Sequence, residues 1–195
     1  MPDFGVIAAV SETLQTVLAN AVQPLDNPAP TAELHDLQGN IPMQPARLTV
    51  FLFEVGEDPS ARNHSRGRTI VAGKPTLIKP PLALVLRYLL TAWGGDRVTE
   101  HRLLGRAMQV LYDGALISGP ALQGASLRDS NETLKVTLSP LSLENLTRVF
   151  WSVQRPYRLS LSYEIRVVNL ESELTERREP VRTAAHTFGT MEMPS

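Results

Sequence analysis

Along HRLLGRAMQVLYDG (101–114), apolar residues return every three to four positions, the spacing of an amphipathic α-helix. Wound that way, Leu103, Leu104, Ala107, Met108, Val110 and Leu111 share an arc of roughly 160°. His101, Arg102, Gly105, Arg106, Gln109, Tyr112 and Asp113 share the remainder. Asp96 or Thr99 is placed to cap the helix start. The same period runs through GVIAAVSETLQTVLANAV (5–22), at Val10, Leu14, Val17, Leu18 and Ala21. Prolines at 24, 28, 30, 42 and 45 then exclude helix, and extended loop is expected to Pro45. Ser142 as N-cap, followed by Leu143, Leu146, Val149, Phe150 and Val153, predicts a short third helix that Pro156 ends.

Other stretches carry the two-residue period of strands. Val50-Phe51-Leu52-Phe53, closed by Gly56 and Pro59, reads as a strand buried on both faces. Leu134, Val136 and Leu138 alternate with polar residues, as in a half-buried strand. From Tyr157 to Val167 the alternation is strict. Tyr157, Leu159, Leu161, Tyr163, Ile165 and Val167 form one face, and Arg158, Ser160, Ser162, Glu164 and Arg166 the other. PLALVLRYLLTAWGGD (81–96) fits helix or strand on pattern alone, because leucine and alanine favour one and the flanking Pro and Gly pairs permit the other. ALISGPALQGASLRDSN (115–131) reads as turns, and residues 60–81 as a long connection rich in Arg62, Arg66, Arg68, Lys74 and Lys79. After about Glu171 the pattern dissolves into a tail.

Composition narrows the class. A chain of 195 residues, 43% hydrophobic and 20% charged, suits one well-packed domain. The net charge of −1 gives no global field to draw the chain to nucleic acid or acidic lipid. No cysteine is present, which excludes disulfides, thiolate catalysis and cysteine-ligated metals. The start, MPDFGVIAAV, lacks the basic region of a secretory signal, so synthesis in the cytoplasm is expected. The longest apolar run, PLALVLRYLLTAW, is too short for a membrane span and carries Arg87.

Candidate chemistry is sparse. His35, His64, His101 and His186 are dispersed and form no ligand pair of the HExxH kind, so no metal is expected. No GxSxG elbow, phosphate-binding glycine loop or paired carboxylate motif is present, and no cofactor or catalytic residue is assigned. The polar face of 101–113 is more informative. Arg102 and Arg106 stand at i and i+4, where like charges repel slightly. Gly105 between them costs a helix about 1 kcal/mol relative to alanine. The face is either solvated, with a tolerated glycine, or covered by another chain that approaches at Gly105 and offers carboxylates to the arginines.

The order of motifs along the chain carries a resemblance. An N-terminal amphipathic helix, LTVFLFEV leading into EDPSARN, PPLALVLRYLLTAWGGD, HRLLGRAMQVLYD and LKVTLSPLSLENLTRVFWSVQRPYRLSLSYEIRVV resemble the cap, or tail-terminator, proteins of phage-tail-like contractile injection systems. These are the proteins of virulence-cassette and antifeeding-prophage particles. The likeness spans roughly residues 3–168, which sets off a cap domain at 1–168 from a tail or arm at 169–195.

The resemblance implies an α+β fold, a mixed or mainly antiparallel sheet flanked by helices, with PLALVLRYLLTAW a strand. It implies a non-enzymatic structural role: a homohexameric ring that ends the inner tube and the contractile sheath, distal to the baseplate. The partners implied are further copies of the chain, the sheath protein and the inner-tube protein, with no nucleic acid and no membrane insertion. Assembly in the cytoplasm would precede residence in a particle, including an extracellular one. A sheath arm would add as a strand to an exposed sheet edge, for which Tyr157–Val168, with Tyr163, is the candidate. Arg102, Gly105, Arg106 and Gln109, with Arg62, Arg66 and Arg68 of the basic loop, are the candidate subunit or tube contacts. The rival readings are a small cytosolic enzyme or ligand-binding domain whose site forms only in space, and a nucleic-acid module using the basic loop. The second is weakened by an aromatic content of 6%.

Overall fold

The computed structural model describes residues 3–61, 67–71, 74–78, 80–128, 130–172 and 175–177. The chain divides into two units, 1–63 with 81–171, and 64–80 with 172–195. The first unit begins with α1 (Val6–Val22), whose buried residues include Val10, Leu14 and Leu18 as the periodicity requires. Strand β1 (Thr31–Leu34) and β2 (Arg47–Glu57) follow. After the second unit's first two strands come β5 (Leu82–Trp93), α2 (Arg97–Asp113) and β6 (Leu116–Ser118). The unit is completed by β7 (Thr133–Leu138), α3 (Leu143–Ser152) and β8 (Ser160–Leu170).

These strands form one six-stranded sheet in the order β1-β2-β5-β8-β7-β6. Only β1 and β2 run parallel; the other neighbours are antiparallel. The fold is therefore α+β with a mixed sheet, as expected, and 82–93 is a strand paired on both sides. Helices α1 and α2 cover one sheet face, packing on Leu48, Val50, Leu86, Tyr88, Leu90, Val136 and Ile165. Helix α3 covers part of the other face through Leu146 and Phe150, which join Leu37, Ile41, Leu89 and Trp93. Ser11 of α1 hydrogen-bonds the Tyr88 hydroxyl at 2.8 Å. Burial pushes that hydroxyl up to about 12, against the lowering effect of Ser11. Gly124, at φ 76°, lets the turn after β6 lie on α1, because a Cβ there would meet Ala9 Cβ at 2.6 Å.

Several expectations are corrected. The proline-studded stretch is not all loop: Thr31–Leu34 pairs with β2, and Thr31 N–H donates to the Ala46 carbonyl. The strand at Val50–Phe53 runs over Arg47–Glu57 and is buried on both faces only at Leu48–Val50. Phe51, Leu52 and Phe53 are half-buried, where the register shifts between Leu52 and Glu54. The strand predicted from Tyr157 starts at Ser160, leaving Tyr157 and Leu159 exposed. Its polar face is not a solvent face. Ser160, Ser162 and Glu164 are buried, since α3 and neighbouring charged side chains cover that side.

The second unit is a three-stranded antiparallel sheet, β3 (Gly67–Val71), β4 (Lys74–Ile78) and β9 (Thr175–Arg177), in the order β3-β4-β9. Most of the expected basic connection is thus a hairpin, with Arg68 opposite Leu77.

Candidate functional site

Helix α2 is held from its N-terminus inward. Asp96 accepts from the Thr99 N–H at 2.9 Å and from its hydroxyl at 2.7 Å. Those bonds hold the Asp96 carboxyl below its usual range. Glu100 is 7% exposed and fully engaged. Its carboxylate accepts from Gly94 N–H at 3.2 Å, from Arg97 at 2.7 Å, and from Arg158. The Arg158 guanidinium also sits over the Trp93 ring, 4.4 Å from its centroid. Trp93 in turn donates to Thr49 Oγ1 at 2.9 Å. This network ties the start of α2 to three strands or their ends and leaves no carboxylate there poised for catalysis.

The candidate arginines of α2 turn inward. Arg106 Nε donates to the Ala21 carbonyl and Arg102 to the Leu25 carbonyl, each at 3.2 Å. Ala21 lies in the last turn of α1, which has no basic residue of its own. The guanidinium therefore supplies the donor and the positive charge that a helix C-terminus lacks. Arg106 also donates to Gln109 Oε1 at 2.9 Å. These arginines thus have partners within the chain: both join α2 to the segment at the end of α1.

Gly105 behaves differently. It is exposed, and a Cβ at that position would meet nothing within 4 Å. Among the described residues, no turn, close approach or packing contact calls for a glycine there. Around it lie His101, Arg102, Met108 and Gln109, all exposed, with exposed Val98 and Tyr112 about two turns away on either side. Met108 was expected on the buried arc; the helix is rolled so that Leu103, Leu104, Ala107 and Leu111 face the sheet instead.

A second exposed apolar patch was not anticipated. Trp151 of α3 lies off the Leu146–Phe150 stripe and is 80% exposed, and Leu143, expected on that stripe, is exposed at the helix start. The position of Trp151 off the buried stripe was the available signal.

Tyr163 is 3% exposed, and β8 lies between β5 and β7. The edge-strand expectation is overturned: the free edges of the six-stranded sheet are β1 and β6. Arg62 and Arg66 lie outside the described residues, and for Arg68 the backbone register alone is described.

On the far face of the sheet, Arg87 bridges Glu54 at 2.7 Å and Glu164 at 3.2 Å, and Arg166 also pairs with Glu164. Burial raises Glu164, but hydrogen bonds and charge from Arg166 and Arg87 outweigh it and hold the carboxyl below its usual value. Two surface hollows, of about 490 Å³ beside α1 and about 210 Å³ beside Asp96, are lined by Glu12, Gln123 and Arg128 and by Asp26, Gln44 and Thr99 respectively. Neither sets a nucleophile against a base. Among the described residues, no group of three or more His, Asp or Glu could hold a metal, and no helix is long and apolar enough to cross a membrane.

Comparison with known proteins supplies the context for these surfaces. A search of curated proteins finds no match. Among solved structures, the sheath/tube terminator of PVC, an extracellular contractile injection system, in its extended state, matches with a TM-score of 0.66 at 21% identity. The match covers 97% of this chain and 65% of that one. The tube-terminating cap of the anti-feeding prophage matches with a TM-score of 0.56 at 20% identity, over 94% of this chain and 60% of that one. The chain thus spans less than two thirds of the length of either. At these identities the likeness is one of fold. The sequence model of the Pvc16 N-terminal domain matches residues 9–184, and the chain belongs to that family.

Proposed function

We propose that this protein is a structural, non-enzymatic terminator that closes the tube and sheath of a phage-tail-like contractile injection particle at the end distal to the baseplate. The observation that carries the reading is the shared fold: nearly the whole chain follows a sheath/tube terminator. The surface agrees in kind. Glu100, Arg102 and Arg106 of α2 are used within the chain, while exposed apolar side chains such as Tyr112 and Trp151 suit protein contacts. In this reading the chain forms a homohexameric ring and contacts tube and sheath subunits. The residues assigned to those contacts are Gly105 and Gln109 on α2 and the basic residues Arg62, Arg66 and Arg68. Arg102 and Arg106 frame the α2 surface rather than carry it. Strand addition by a sheath arm falls to β1 or β6 in place of Tyr157–Val168. Assembly takes place in the cytoplasm, and the finished particle carries the protein onward.

The test adds purified chain to polymerising tube subunits and follows tube length and binding. A terminator binds at tube ends and shortens the length distribution in proportion to its concentration. Tubes of unchanged length with no bound chain would overturn the reading and return attention to a hidden ligand site.

A further inference from the structure

Just after β1, the chain turns against α3 in a conformation held by a group that can change its charge. Leu37 is left-handed, at φ 62°, which costs a leucine free energy and persists only where its surroundings hold it. Three contacts do so. Its side chain is fully buried with Leu89, Trp93 and Phe150. Its carbonyl accepts from Arg155 Nε, just past the end of α3, at 2.9 Å. Its N–H donates to Nδ1 of His35 at 2.8 Å.

That third contact dictates the state of the ring. A nitrogen that accepts a hydrogen bond carries no proton, so His35 is the neutral imidazole with its proton on Nε2. Turning the ring over would set a carbon in place of the acceptor, 2.8 Å from the same N–H. Nδ1 also lies 3.4 Å from Asp36 Oδ1, which itself accepts from the Gln38 N–H at 2.9 Å. One nitrogen thus has two partners that require opposite states. As an acceptor it holds Leu37, and as a protonated donor it turns to Asp36. The other charges near the turn are matched elsewhere: Glu33, two residues back, pairs with Arg47 at 2.8 Å, and Arg155 is on the Leu37 carbonyl. On β2, Val50 takes the His35 N–H, and Phe51 and Leu52 beside it are uncharged. The α1 side chain that reaches β1 is the uncharged Gln15.

We propose that the 35–38 turn is a proton-sensitive latch, closed while His35 is neutral and released when its imidazole takes a proton. Protonation turns Nδ1 from acceptor to donor, so two N–H groups oppose each other and the bond to Leu37 is lost. The Leu37 N–H then has no acceptor, and the left-handed residue loses one of its three supports. Opening lifts Leu37 out of the cluster that α3 shares with β5 and releases Arg155. The open turn binds the proton better than the closed one, so falling pH favours it. Histidine changes charge between about pH 5 and pH 8, so the latch opens in mild acid. The device lies in the chain itself and stands apart from the terminator reading.

NMR of the full chain, titrated from about pH 8 to about pH 5, follows the His35 ring nitrogens and the exchange protection of the Leu37 and Leu89 amides. At the alkaline end the ring proton sits on Nε2. As the ring charges, Leu37 protection falls by roughly tenfold or more while that of Leu89, in the central strand β5, holds. His35→Asn keeps an oxygen that accepts from the N–H two residues on and takes up no proton, so its Leu37 protection stays level. Asp36→Asn removes the partner of the protonated ring and moves the loss to lower pH. A proton on Nδ1 at the alkaline end, or Leu37 protection that stays level while the ring charges, overturns the proposal. So does a His35→Asn chain that loses protection as its parent does. If that variant does not fold, the parent titration decides alone.

Discussion

The two flanks of helix α2 are built from adjacent residues and serve opposite ends. On one flank Arg102 and Arg106 are spent within the chain, on the segment after α1 and on the last turn of α1 itself, while Glu100 on the buried face binds Arg158. On the other, Val98, Gly105 and Tyr112 touch little and stand in solvent. The charged flank, which in a sequence looks like the reactive one, is structural. The bland flank, with a glycine at its centre, is the one the fold leaves uncovered. Charge alone is thus a poor guide to function on a helix surface; what decides is whether the charge has already been matched within the fold.

The strongest way to break this contrast is at Glu100. Glu100→Ala leaves the half-buried Arg158 and the Gly94 N–H without their acceptor, and a loss of about 3 kcal/mol is expected, read by chemical denaturation. A loss under about 1 kcal/mol would show that the network is not integral to the fold. Gly105→Ala should raise stability by about 1 kcal/mol, since alanine removes the helix penalty and meets no neighbour. Arg106→Ala should lower it by about 0.5–1 kcal/mol through loss of the α1 C-terminal donor. Opposite signs one residue apart would separate the flanks directly.

A shallower effect is expected in acid. Glu164 and Asp96 are held below their ordinary values, so they bind protons more readily in the unfolded chain. Their contribution is present above the unfolded carboxylate value near pH 4 and fades as pH falls through the lowered folded value. Thermal melts between about pH 5 and pH 2 should show a steeper decline for the parent than for Glu164→Gln. Smallest of all, Tyr112→Ser and Trp151→Ser should each change stability by less than about 0.5 kcal/mol, because the side chains they remove are already in water.

Local signals in the sequence were legible where the physics is local. Asp96 and Ser142 cap their helices as their positions suggest, because capping involves residues three apart. The leucine-rich strand β5 was ambiguous by pattern and was resolved by resemblance, since its burial on both faces erases the alternation that marks a strand. Strand β1 was hidden by the prolines around it and by its brevity, with Ala32 its one buried residue. The hairpin at 67–78 was masked by its charges. The largest error, taking Tyr157–Val168 for an edge, has a long-range cause. Alternation reports a face, and it says nothing about which strands lie on either side. Ser160, Ser162 and Glu164 looked solvated, yet Thr91 bonds Ser160, the Arg87 and Arg166 guanidiniums hold Glu164, and Ser162 is buried with no hydrogen-bond partner among the described residues. The exposure of Met108, at the edge of the apolar arc of α2, followed from packing that no single helix encodes.

The most direct measurement is negative-stain imaging, with end views averaged, of tubes assembled with their sheath in the presence of the chain. The terminator reading predicts a six-fold ring of the added chain at one end of each tube, with growth stopped there. A chain that stays monomeric in solution and is absent from both ends of every tube would contradict it.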